Sequence, residues 1–199
     1  MQEKIKTLIA REVEAIQNIP VNGQIEASLN LIYKQVHTAH GKLVVSGMGK
    51  AGQIGYNIAT TFSSTGTPAV FLHPSEAQHG DLGIIQKDDV LLLISNSGKT
   101  RELIELVHLS RRLYSEIPII TLTGHPENEL SSHSNANINT GNPTEICPLG
   151  LTPTTSTTTM TVIGDVMVAL MMEKINFSKE EYAKRHHSGY LGQKSRGDE

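Results

Sequence analysis

The sequence predicts a three-layer α/β/α sandwich built on a five-stranded parallel sheet, with two helices in front of it. Three observations carry this. Short, continuous apolar runs recur, Val90-Leu-Leu-Leu-Ile94 above all, and strands apolar on both faces belong to parallel sheets covered by helices. Stretches with apolar residues at helical spacing lie between those runs. The runs stop abruptly in Gly- and Ser-rich turns, Gly47 to Gly52 and Ser95 to Gly98, where a strand hands over to a crossover helix.

The elements follow in order. Ile5, Leu8, Ile9, Val13 and Ile16 share one helical face, as do Ile25, Leu29, Ile32 and Val36, with Pro20 and Gly23 between them. Lys42 to Ser46 is the first strand, and a helix runs on from its Gly-rich turn to about Ser64. Pro68 to Leu72 is the second strand and Val90 to Ile94 the third. A helix from about Thr100 to Leu113 carries Leu103, Leu106, Val107 and Leu113 on one face. Pro118 to Leu122 is the fourth strand, and Ala136 to Asn139 a weak fifth at an edge. The Ser/Thr-rich stretch 148–159 reads either as a flexible linker or as the polar start of a helix. Met160, Val162, Ile163, Val166, Met167, Leu170 and Met171 follow it without a break, so the expected helix is apolar nearly all round and buried. Residues 1–193 read as one domain, and 194–199 as a charged, disordered tail.

Composition excludes several classes. At 199 residues, 38% hydrophobic and 19% charged, the chain suits one folded domain and not wholesale disorder. A net charge of −3 without a basic stripe argues against nucleic acid. An anionic substrate must therefore be held by local groups. One cysteine, Cys147, permits no internal disulfide, which fits a reducing cytoplasm. The N-terminus is charged throughout and unlike a signal peptide. No stretch is expected to span a membrane, which takes about 20 apolar residues.

Ligands bind outside the carboxyl ends of the strands in open parallel sheets. Gly47 to Gly52 matches G-x-G-x-x-G, but a dinucleotide site wants an acid about 20 residues on, at the end of the second strand. Here that strand ends Phe71-Leu-His73, and Glu76 lies beyond Pro74. The Ser95-Asn-Ser-Gly-Lys-Thr100 turn clusters hydroxyls where the next helix points its N–H groups outward. It reads equally as a phosphate site and as an ordinary helix cap. It is not a P-loop, although Gly98-Lys-Thr100 imitates the end of one. His73, Glu76, His79 and Asp81 crowd one loop. Their spacing matches no usual zinc site, so a polar wall to an active site is expected there and no metal.

Five motifs then stand in order: Val44 to Lys50, Ser64 to Pro68, His73 to Asp81, Ser95 to Gly98, and Cys147 to Thr158. Together they resemble the SIS (sugar isomerase) domain of arabinose-5-phosphate isomerases, from about residue 25 to 192. The Ser-rich turn is shared by SIS proteins generally; the His-Gly-Asp loop and the Cys-Pro-Leu-Gly-Leu stretch are more specific. The resemblance implies a flavodoxin-like SIS fold. It implies interconversion of D-arabinose 5-phosphate and D-ribulose 5-phosphate, the first step toward Kdo for lipopolysaccharide or capsule, with neither metal nor cofactor. It implies Lys50, His79, Glu102 and His186 at the catalytic centre, and Ser95, Asn96, Ser97, Thr100 and Gly49 around the phosphate. Ser46, His73, Glu76, Asp81, Thr154 and Ser156, within or beside the matched motifs, are candidates for other substrate contacts.

The family pattern is not matched throughout. Acids are usual where Lys99 and Arg101 stand here, and the ending His-Pro-Gly-Gly-Ala-Leu-Gly is replaced by His186-His-Ser-Gly-Tyr-Leu-Gly192. His186 is preferred to His187 because it keeps the spacing to Gly189 and Gly192. Many relatives add a pair of CBS domains; regulation by such a module is not expected of this chain. A homotetramer with shared active sites is expected, and CMP-Kdo, the activated end product, is a candidate feedback ligand. The rivals are an SIS isomerase for a hexulose or heptulose phosphate, and a non-catalytic sugar-phosphate sensor.

Overall fold

The structure, a computed structural model, describes residues 1–197. Helices α1 (Gln2–Gln17) and α2 (Gln24–Ile32) come first, and α2 runs on into a π-helical stretch, Tyr33–Thr38. The sheet comprises β1 (Leu43–Gly47), β2 (Ala69–Phe71), β3 (Val90–Ile94), β4 (Ile119–Thr123) and β5 (Ala136–Asn139). The remaining helices are α3 (Gly49–Ser64), the single turn α4 (Pro74–Ala77), α5 (Arg101–Leu113), α6 (Thr155–Lys174), α7 (Lys179–Arg185) and α8 (Gly189–Arg196).

The strands lie in the order β2-β1-β3-β4-β5 and every neighbouring pair is parallel. Alternate residues of one strand feed opposite faces. Leu43, Val45, Leu92, Ile94, Ile120 and Leu122 pack under α2, α3 and α6. Val44, Leu91, Leu93 and Ile119 pack against Leu103, Leu106 and Val107 of α5. That two-sided burial is why β1, β3 and β4 are buried from end to end. At the foot of the sheet Asp89 is buried but fully engaged. It accepts from the backbone N–H groups of Lys42 (2.8 Å) and Gln86 (2.7 Å) and from Lys42 Nζ (2.7 Å), tying the starts of β1 and β3 together.

The strand order turns back on itself between β1 and β3, and that switch point opens a crevice at the carboxyl ends of the strands. The turns after β1 and β3 therefore share one end of the sheet, and α6 points its N-terminus at the same place.

Three expectations change. The Ser/Thr-rich stretch does open a helix, but α6 is not buried all round: Val166 and Leu170 are 42% and 41% exposed. By length and composition α6 could cross a membrane, contrary to the sequence reading, yet half of its apolar window is buried in this fold. The tail expected to be disordered from Lys194 is helical through Arg196. The Ser195 hydroxyl donates to the Gly192 carbonyl (2.8 Å), and the helix stops at left-handed Gly197. Asp198 and Glu199 of that expected tail lie outside the described residues.

Candidate active site

A cavity of about 240 Å³ lies at the switch point, walled by Met48, Lys50 and Ala51 after β1, by Ile94 to Ser97 and Thr100 after β3, and by Pro153, Ser156, Thr157 and Met160 of the α6 entrance. Six of the expected residues thus meet there: Lys50, Ser95, Asn96, Ser97, Thr100 and Ser156. Gly49 is exposed next to Lys50, at φ 57° and with no described atom within 4 Å of where a Cβ would stand.

The turn after β3 is held by its own hydroxyls. Ser95 Oγ and Thr100 Oγ1 share a hydrogen bond of 2.7 Å, Gly98 N–H donates to Ser95 Oγ (3.1 Å), and Lys99 N–H to Ser97 Oγ (3.2 Å). Because Thr100 turns its hydroxyl to Ser95, no side chain among the described residues caps α5. The first N–H groups of a 13-residue helix, at the positive end of its dipole, are left for a ligand. Lys50 is exposed, and its ammonium makes a long bond of 3.5 Å to Gln53.

The α6 entrance is built differently. Glu145 Oε2 accepts from the Thr154 N–H (2.7 Å), the Thr154 hydroxyl (2.8 Å) and the Ser156 N–H (3.3 Å). The Thr155 hydroxyl donates to Glu12 (2.8 Å) and accepts from Ile146 N–H (3.0 Å). Burial raises the pKa of Glu145, but the hydrogen bonds from Ser156 and Thr154 outweigh it and hold the carboxyl below its ordinary range.

Other expected residues stand apart from the cavity. Ser46 is fully buried, and its hydroxyl donates to the Leu72 carbonyl (2.6 Å), so it serves the β1–β2 edge and not a ligand. Thr154 spends its hydroxyl on Glu145 and does not line the cavity. His73 precedes α4 in extended conformation, with Nδ1 buried and without a partner among the described residues. Glu76, His79 and Asp81 are exposed on the same excursion. Among the described residues no three His, Cys, Asp or Glu side chains converge as a ligand set. Glu102 sits half-buried in the first turn of α5, two residues past Thr100.

His186 lies farther off. α6 starts at the cavity, and its course from Ser156 to Lys174 spans about 27 Å. The α7–α8 segment packs at the far end, where Phe177 abuts Gly66 below β2. There His186 stacks on Tyr182 (ring centroids 3.7 Å apart) with Nδ1 3.0 Å from the Tyr182 carbonyl. A carbonyl only accepts, so the neutral ring carries its proton on Nδ1 and leaves Nε2 as an acceptor. His187 is exposed.

Two supporting residues escaped the sequence reading. Asn128 lies against left-handed Gly98, donates to Ser131 Oγ (2.8 Å) and His125 O, and accepts from Ser131 N–H (2.8 Å). Glu145 is the other. Neither belongs to a local pattern; for Glu145 the one hint was its place just ahead of Cys147-Pro-Leu-Gly.

The SIS-domain family model matches residues 36–170. The arabinose 5-phosphate isomerase KdsD of Shigella flexneri is 39% identical over 193 residues, 97% of this chain and 58% of that protein. The chain spans about half the length of the curated relatives it matches. Among solved structures, a Bacteroides fragilis protein provisionally described as a phosphosugar isomerase involved in capsule formation is 58% identical, covers 96% of this chain and 99% of its own, and superposes with a TM-score of 0.94. An E. coli CFT073 protein in complex with arabinose 5-phosphate is 34% identical over 92% of this chain and 96% of its own, with a TM-score of 0.83.

Proposed function

This chain belongs to the SIS-domain family, and from that membership we propose that it is an aldose–ketose isomerase interconverting D-arabinose 5-phosphate and D-ribulose 5-phosphate. The observation that carries the reading is the cavity itself. An uncapped helix N-terminus, the hydroxyl residues Ser95, Ser97 and Thr100, and Lys50 line one cavity at the switch point. The relatives support the substrate: one was solved with arabinose 5-phosphate, and the curated ones carry the activity in their names. On this reading the reaction opens the supply of Kdo, for capsule or lipopolysaccharide, and capsule is in keeping with the B. fragilis relative.

The chemistry moves a proton between C1 and C2 through an enediolate. With the phosphate on the α5 entrance, Glu102 is the base for the carbon-bound proton, in the first turn of the same helix. Lys50 offsets the charge on the enediolate oxygens. His79 and His186 pass the hydroxyl protons, imidazole being suited to both directions near neutral pH. Since α6, about 27 Å long from Ser156 to Lys174, separates the cavity from the segment that carries His186, the reading has a second copy supply that histidine, within a homotetramer.

The test is a panel of pentose, hexose and heptose phosphates in heavy water. Arabinose 5-phosphate should isomerise with exchange of the C2 proton. Glu102→Gln should lose turnover by about a thousandfold or more, with substrate Kd changed less than about threefold. Full activity in that variant removes Glu102 from the mechanism. Binding without any proton exchange points instead to the sensor, for which Lys99 and Arg101, standing where acids are usual, are the one motive. Turnover of a hexose or heptose phosphate alone moves the substrate assignment within the family.

A further inference from the structure

Two helix N-termini open onto the cavity, and they differ in one respect. The α5 end has no side-chain cap among the described residues and faces Ser95, Ser97 and Thr100. The α6 end, next to Ser156 and Thr157 on the opposite wall, already holds an anion. Three donors converge on a single oxygen of Glu145, two of them backbone N–H groups of Thr154 and Ser156. Ser156 is itself only 1% exposed, so its N–H is turned inward to the carboxylate. Glu12 occupies the next hydroxyl, that of Thr155. Glu145 thus takes two of the N–H groups at this end, and its charge offsets the partial positive charge of the helix.

We infer that Glu145 is a specificity-determining residue: by filling the N-terminus of α6 with its own carboxylate, it confines the phosphoryl group to the α5 end and leaves the opposite wall for neutral hydroxyls. The inference rests on reading the α5 end as the phosphate site. It has two consequences. A sugar phosphate enters in one polarity, so its C1–C2 end is not exchanged with its phosphate end. Ligands anionic at both ends, such as sugar bisphosphates, meet the Glu145 charge held directly behind Ser156 of the α6 wall and are discriminated against. Hydrogen bonds from Ser156 and Thr154 keep Glu145 ionised at neutral pH despite its partial burial, so the repulsion is present under working conditions.

The experiment is calorimetric, with ribulose 5-phosphate and ribulose 1,5-bisphosphate as probes. The wild-type chain should bind the monophosphate at least about tenfold tighter than the bisphosphate. Glu145→Gln should gain about tenfold for the bisphosphate while the monophosphate moves less than about threefold. Glu145→Asp, which keeps the charge, should restore the wild-type preference. Equal affinities in the wild type overturn the inference without any variant, so it stays testable if Glu145→Gln does not fold. An unchanged ratio of the two affinities in a folded Glu145→Gln reduces the residue to a plain cap. If the wild type does not bind the monophosphate, or binds it unaltered in Ser97→Ala, the phosphate reading fails and takes the inference with it.

Discussion

Cys147 shows how far one side chain departs from what its identity implies. Its thiol pKa is lowered to about 6, first by the Thr152 hydroxyl and then by the backbone N–H groups of Thr152, Leu151 and Leu149. The sign is direct: donors to sulfur favour the thiolate, so the group is mostly ionised at pH 7. Alkylation by iodoacetamide should be half-maximal near pH 6 and flat above pH 7, and Thr152→Val should move that midpoint upward. A rate still climbing between pH 8 and 9 contradicts this. From the sequence the residue was legible only as an unpaired cysteine, because its donors depend on how 148–152 folds back. Ser46 teaches the same lesson in reverse: it stands in a matched motif, yet its hydroxyl is consumed by the Leu72 carbonyl.

Among the elements, the passage from β3 to α5 was the most legible part of the chain. Five apolar residues stopped by Ser-Asn-Ser-Gly leave little choice but a buried strand and a turn. The sequence did not show what holds that turn shut. Gly98 sits at φ 64°, and a Cβ there would collide with the side-chain amide of Asn128, while Leu130 N–H donates to the Gly98 carbonyl (3.2 Å). Gly98→Ala must adopt a left-handed conformation, at about 1–2 kcal/mol, and also displace Asn128. Its Tm should fall by at least about 3 °C, and its sugar-phosphate affinity by about tenfold as the hydroxyls lose their frame. A melt and a titration matching wild type contradict that framing. The π-helical stretch after α2 was likewise hidden, since apolar spacing through Val36 reads as unbroken α-helix.

Over the molecule as a unit, a single copy leaves apolar surface uncovered. α1 has no buried residue, and Ile5, Ile9 and Val13 are about half exposed along it. Val166 and Leu170 line an apolar groove between α6 and α2. With His186 at the far end of α6, the proposed homotetramer accounts both for this surface and for a histidine remote from its own cavity. Mixing decides it. Glu102→Gln and His186→Ala, each inactive alone, should recover a substantial fraction of wild-type activity when unfolded and reassembled together, because some sites then draw one intact residue from each chain. No recovery, with mixed assemblies shown by native mass spectrometry, places both residues in one chain's site and rules out sharing.

Local pattern was enough to write down the layers, the five strands and the turn that ends β3, because apolar runs and their breakers are read within a few residues. It also singled out the turn from Ser95 to Thr100, to which the family resemblance added Lys50 and Ser156, and the fold brings these residues to one cavity. The folded arrangement was needed to show that Glu145 caps α6, that Asn128 braces Gly98, that Ser46 faces inward, and that His186 stands at the opposite end of α6 from its own cavity. Each of those depends on which distant segments become neighbours, and the strand order and the length of α6 settle that where local pattern carries no record of it.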